Sequence, residues 1–83
     1  HPRTAHARVA WGRALTALAR YDDAQTQLLE ADRVYTAAKN VTALRKAQCA
    51  QALVALYEAL DTAEPGKGFD EKAAPWRDKA SGK

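Results

Sequence analysis

Alanine restricts this chain more than any other residue: it supplies 20 of the 39 apolar positions, against eight leucines, four valines and one phenylalanine, with isoleucine and methionine absent. A core built largely from methyl groups is thin and closes only where backbones come close together. Abundant alanine, the best helix former, together with few β-branched residues points to helices rather than sheet. The 83 residues make one small domain, near the size below which a single core is barely self-sufficient. Thirteen basic and ten acidic side chains leave a net charge of +3. That is too little for the charge-driven disorder that a shortage of large aliphatics would otherwise suggest.

Several classes drop out on pattern. No apolar run approaches the roughly 18–20 residues needed to cross a bilayer, so no membrane association is expected. A single cysteine, Cys49, makes neither an internal disulfide nor a paired metal ligand, which fits a reducing, cytoplasmic setting. The first residue is His1, with no charged-then-apolar signal pattern behind it, and reads as a cut from a longer parent.

Four helical segments are expected. Residues 4–20 place Ala7, Ala10, Trp11, Ala14, Leu15 and Leu18 on one narrow stripe, with Pro2 just ahead and a turn near Tyr21. Asp22, with Gln25 three residues on, suits the cap of a second helix starting near residue 23. Its apolar face is Ala24, Leu28, Ala31, Tyr35 and Ala38, and Asn40 suits its closing left-handed residue. Thr42 suits the cap of a third helix over 43–60, striped by Ala47, Cys49, Ala50, Leu53, Leu56, Tyr57 and Leu60. Residues 62–68 read as a loop. A fourth helix over 70–79 has Asp70 as cap and Pro75 as a kink or true start, with a frayed tail from Ala80 to Lys83.

A shift of 42 residues aligns Arg3 with Arg45, Ala5 with Ala47, Ala10 with Ala52, Ala17 with Ala59 and Leu18 with Leu60. Trp11 then meets Leu53 and Leu15 meets Tyr57, so the stripes of helices one and three superpose in phase. The opening HPRTA, the large-small pair in WGRAL, the turn RYDDA, and Leu28 and Ala31 behind it resemble the tetratricopeptide repeat in its 42-residue, kinesin-light-chain-like form. LYEAL and GFDEKAAPWR are similar to the closing repeat at the C-termini of many bacterial serine/threonine kinases. The resemblance implies an all-α fold of antiparallel helical hairpins stacked as an α-solenoid fragment: hairpin one over 1–41, hairpin two over 42–83 with the insertion 62–68 and a C-terminal cap. Three features depart from the family pattern: Val54 where the first copy has Gly12, the insertion itself, and Pro75 inside the last helix.

Catalytic constellations are hard to find. Cys49 and His6 form the one thiol–imidazole pairing on offer, but Cys49 lies on an apolar stripe and reads as a buried, inert side chain. His1 and His6 miss the i, i+4 spacing of two ligands on one helix face, and Asp22-Asp23 is explained by helix capping and the macrodipole. The GKG of the loop lacks phosphate-loop spacing. Arg3, Arg8, Arg13 and Arg20 point to different faces rather than tracking a nucleic-acid backbone. Trp11 and Trp76 read as inter-helix packing, and a buried Trp11 would lose about 3–5 kcal/mol on truncation to alanine. No enzyme, cofactor or metal is expected.

What remains is surface. In the resembled family the first helix of each repeat lines a groove that holds a partner segment. The matching positions are His6, Val9, Arg13 and Thr16, then Gln48, Gln51, Ala55 and Glu58. Arg13 is the best carboxylate fork among them. The expected function is a protein-interaction or scaffolding module. The alternatives are an oligomerising or structural end-cap and a regulatory appendage of a bacterial kinase. Two repeats are fewer than the roughly three usually needed for stability, which favours self-association through an exposed first-helix face or marginal stability.

Overall fold

The structure, a computed structural model, describes residues 2–38 and 40–81, and of Pro2 and Arg3 the backbone alone. The described residues form four helices and no strand: α1 (Pro2–Ala17), α2 (Tyr21–Ala37), α3 (Ala43–Ala63) and α4 (Phe69–Ala80). The chain is all-α. Helix α1 packs along α2 and α3 along α4, while the two pairs meet mainly through α2 on α3 and more lightly through α1 on α3. Among the described residues no helix is long and apolar enough to cross a membrane.

The second and third stripes are where the sequence puts them. Ala24, Leu28, Ala31 and Tyr35 are buried on α2, with Ala38 half-buried just beyond its end. On α3, Cys49, Ala50, Leu53, Leu56, Tyr57 and Leu60 are buried, joined by Ala52, and Ala47 is half-buried. Helix α4 inserts Ala73 and packs Phe69 and Trp76 against the core, so Trp76 acts in packing as expected.

The first stripe differs. The core side of α1 is Ala5, Val9 and Leu15, whereas Trp11 is 56% and Leu18 68% exposed, Ala7 and Ala14 face outward with them, and Ala10 is exposed as well. Only Leu15 of the expected stripe is buried. The cause is Gly12. A Cβ placed there would stand 2.5 Å from Leu28 Cγ and 2.6 Å from its Cδ2, so the missing side chain lets α2 seat Leu28 directly on the α1 backbone. Leu28 is fully buried as a result. Backbone proximity, rather than side-chain size, chooses the inner face of α1. Truncating the exposed Trp11 in a monomer should therefore cost what surface substitutions do, within about 0.5 kcal/mol.

Helix ends also shift. Helix α1 stops at Ala17 because Ala19 takes a left-handed conformation, φ 60°, with Arg20 N–H donating to Leu15 O at 2.9 Å and Ala19 N–H to Thr16 O at 3.0 Å. This paired closure is the Schellman arrangement, where glycine is the usual occupant. It also corrects the expected cap: Arg20 holds the N-cap position of α2 with no side-chain bond, and its carbonyl takes the Ala24 N–H at 2.9 Å. Asp22 and Asp23 lie instead in the first turn, where their charge suits the helix dipole. Thr42 does cap α3, accepting from Arg45 N–H at 3.2 Å. Helix α2 closes at Ala37 with Ala38 extended, ahead of Asn40.

Helix α3 runs a turn past residue 60 and shortens the loop to 64–68. Gly68, φ 82°, starts α4 in place of Asp70, which instead accepts a bond from Arg77 at 3.0 Å. Pro75 sits inside α4 without ending it. His1 and the last two residues of the expected frayed tail lie outside the described residues.

Gly12→Ala is expected to lower stability by up to about 2 kcal/mol, because overpacking a filled core costs about 1–3 kcal/mol against a helix-propensity gain of about 1 kcal/mol. Ala19→Gly should move the other way by about 0.5–1 kcal/mol, since relief of left-handed strain outweighs the flexibility glycine adds to the unfolded chain. Thermal unfolding of both variants checks this. A Gly12→Ala midpoint at or above that of the parent contradicts it.

Candidate functional site

The faces of α1 and α3 that look the same way enclose two hollows that share Arg13. The first, about 200 Å³, is lined by His6, Val9, Ala10, Arg13, Tyr35, Arg45 and Gln48. The second, about 410 Å³, is lined by Arg13, Thr16, Ala17, Gln51, Ala52 and Ala55 and has a largely methyl floor. Seven of the eight residues assigned to a groove from the sequence therefore line one or the other of two hollows that meet at Arg13. The eighth, Glu58, is exposed on the next turn of α3 and borders neither hollow. Val9 contributes an almost fully buried wall rather than an open contact.

Three residues of the first hollow were not assigned from the sequence: Ala10, Tyr35 and Arg45. Arg45 lies three residues before Gln48 and so continues the groove period 48, 51, 55 by one turn. Tyr35 reads from sequence as core, and it is, being 1% exposed. Its hydroxyl nevertheless reaches the hollow and shares a short hydrogen bond with His6 Nδ1. Burial, then the nearby Cys49, hold the Tyr35 phenol above its usual pKa range against an opposing pull from Arg45. The hydroxyl thus keeps its proton at neutral pH and can donate to His6, leaving Nε2 available to the hollow that the ring lines.

The electrostatics of the first hollow are one-sided. Its lining holds two guanidinium groups and an imidazole and no carboxylate. The four ion pairs among the described residues join Arg20 to Asp23, Arg33 to Glu30, Arg77 to Asp70 and Lys79 to Asp32. Neither Arg13 nor Arg45 takes part. Arg13 makes one long bond, 3.4 Å, to the Gln48 carbonyl. Two unneutralised forks beside a neutral wall suit an anion bound bidentately.

Cys49 is fully buried, and its thiol donates to Leu28 O at 3.6 Å. Burial, then the charge of Asp32, push its pKa from 9.0 up to about 12. It is protonated and shielded at neutral pH, as its place on the apolar stripe implied. Among the described residues no three His, Cys, Asp or Glu side chains gather to hold a metal ion.

Comparison with protein-family models, curated proteins and solved structures finds no match. The resemblance to the tetratricopeptide repeat therefore rests on residues of the chain itself.

The Cys49 shift has a measurable consequence. Below pH 9 the thiol is protonated in both states, whereas between 9.0 and about 12 the unfolded chain releases a proton that the folded chain keeps. Over that window this group should reduce stability by up to about 1.4 kcal/mol per pH unit. Denaturant unfolding across the alkaline range should show a shallower decline in Cys49→Ala. Equal slopes in the two proteins contradict the assignment.

Proposed function

We propose that the chain is a non-catalytic protein-interaction module, built as two tetratricopeptide-like hairpins, that holds an extended acidic segment of a partner along the α1–α3 groove. The observation carrying this reading is the hollow lined by Arg13, Arg45 and His6 with no acid among its lining residues. A carboxylate seated there gains charge-assisted bonds from both guanidiniums, each worth about 1.5–3 kcal/mol where water is partly excluded. Gln48 and Gln51 along the same side of α3 offer amides to a peptide backbone. The adjoining hollow over Ala17, Ala52 and Ala55 accepts a small apolar side chain. The packing order, α1 with α2, α3 with α4, and α2 with α3, agrees with two stacked hairpins.

The test uses a fluorescein-labelled peptide of alternating Glu and Ala and its counterpart with Gln for Glu, titrated by anisotropy. The acidic peptide should bind, and more weakly as salt rises. The Gln peptide should bind at least about tenfold more weakly. Arg13→Ala and Arg45→Ala should each weaken the acidic peptide by about 10–100-fold, with helicity unchanged because both side chains are exposed. Equal binding of the two peptides, or indifference to both substitutions, contradicts the proposal.

A further inference from the structure

The outward stripe of α1, on the far side of the helix from the groove, is apolar and unpartnered among the described residues. Thr4, Ala7, Trp11, Ala14 and Leu18 follow one another at intervals of three, four, three and four and carry no charge, and all five are exposed. Beside Trp11 a cleft of about 310 Å³ opens between α1 and α2, lined by Leu15, Arg20, Asp23, Thr26 and Gln27. The charge of Arg20 at this edge is matched by Asp23 at 2.8 Å.

The chain shows what such a face accepts. Forty-two residues later the positions of Ala7, Trp11, Ala14 and Leu18 are taken by Cys49, Leu53, Leu56 and Leu60, all buried, while that of Thr4 is the exposed Lys46. There α2 lies across α3, with Cys49 bonded to Leu28 O and Gln25 to the Tyr57 hydroxyl. A helix is thus the shape that fits. The opposite end of the molecule cannot supply it from a second copy, because the outer face of α4 is Asp70, Glu71, Lys72, Ala74, Arg77, Asp78 and Lys79. Stacking head to tail would set charge on the apolar stripe.

The stripe instead complements itself. A two-fold axis crossing α1 between residues 12 and 13 makes the paired numbers sum to 25. Trp11 then faces Ala14 of the second copy, and Leu18 faces its Ala7. Both pairs set a large side chain over a small one, the condition for close antiparallel helix packing. A parallel pairing would put Trp11 on Trp11 and leave gaps at both alanines.

We propose that the chain forms a two-fold dimer through antiparallel contact of the outer α1 stripes, leaving both α1–α3 grooves open. Helix α1 is 16 residues long, about 24 Å at 1.5 Å per residue, so the contact is small. It belongs with weak interfaces below about 1,200 Å², so the dimer is expected to dissociate on dilution.

Sedimentation equilibrium of the 83-residue chain tests this, joined to disulfide trapping. The parent should pass from monomer to dimer with rising concentration. Ala14→Glu, which adds a good helix former at an exposed site, should keep its helicity and remain monomeric, while Ala55→Glu in the groove should dimerise like the parent. An oxidised mixture of Ala7→Cys and Leu18→Cys proteins should yield covalent dimers at least tenfold faster than Ala7→Cys alone, with buried Cys49 taking no part. A parent that stays monomeric at about 1 mM, an Ala14→Glu variant that still dimerises, or efficient trapping of Ala7→Cys alone overturns the proposal.

Discussion

The contact of Leu28 with the bare backbone at Gly12 is the constraint on which the rest of the molecule depends. A core with so many alanines has little reach, and it closes where a large side chain can descend onto a neighbouring backbone. Leu28 does so on α1 and also presents its carbonyl to Cys49 on α3. One residue of α2 thereby touches both flanking helices. Tyr35 repeats the pattern about two turns on, buried by its ring and tied by its hydroxyl to His6 of α1. Helix α2 is the spine, and the groove between α1 and α3 opens at an angle that α2 sets.

Once α1 is rotated by that contact, its three faces have distinct fates. Ala5, Val9 and Leu15 enter the core, His6, Arg13 and Thr16 border the groove, and Trp11 and Leu18 are left outside. The polar groove residues of α1 and its apolar outer stripe are consequences of one packing choice. The two proposed contacts, an acidic segment and a second copy, use different faces of the same short helix. They can therefore be occupied together.

Much of this was legible in the residues, for reasons that differ by helix. On α2 and α3 the large side chains Leu28, Tyr35, Leu53, Leu56 and Leu60 recur on a single face, so hydrophobic period identifies the core directly. On α1 the same rule selects Trp11 and Leu18 over Ala5 and Gly12, and hydropathy cannot rank a glycine that works by being absent. The 42-residue correspondence aligns α1 and α3 in phase, yet one stripe has α2 across it and the other has no helix on it among the described residues. Thr42 is readable as a cap because its hydroxyl bonds locally, while Asp22 and Asp70 fall inside their helices because left-handed Ala19 closes α1 just ahead of the Arg20 cap and left-handed Gly68 caps α4. The groove residues on α1 and α3 came from the resemblance, which assigns the first helix of each repeat to a groove. Tyr35 and Arg45 did not, since one arrives from α2 and the other from a turn before the aligned set.

The most direct measurement is a nuclear Overhauser spectrum of the folded chain at dilute concentration. Strong cross-peaks between the Gly12 α-protons and the Leu28 methyl groups, with the Trp11 indole silent toward the core leucines, are the expected result. Cross-peaks from the Trp11 indole to Leu28 or Leu53, with Gly12 lacking any contact to Leu28, would contradict the rotation of α1 on which the groove and the outer stripe both rest.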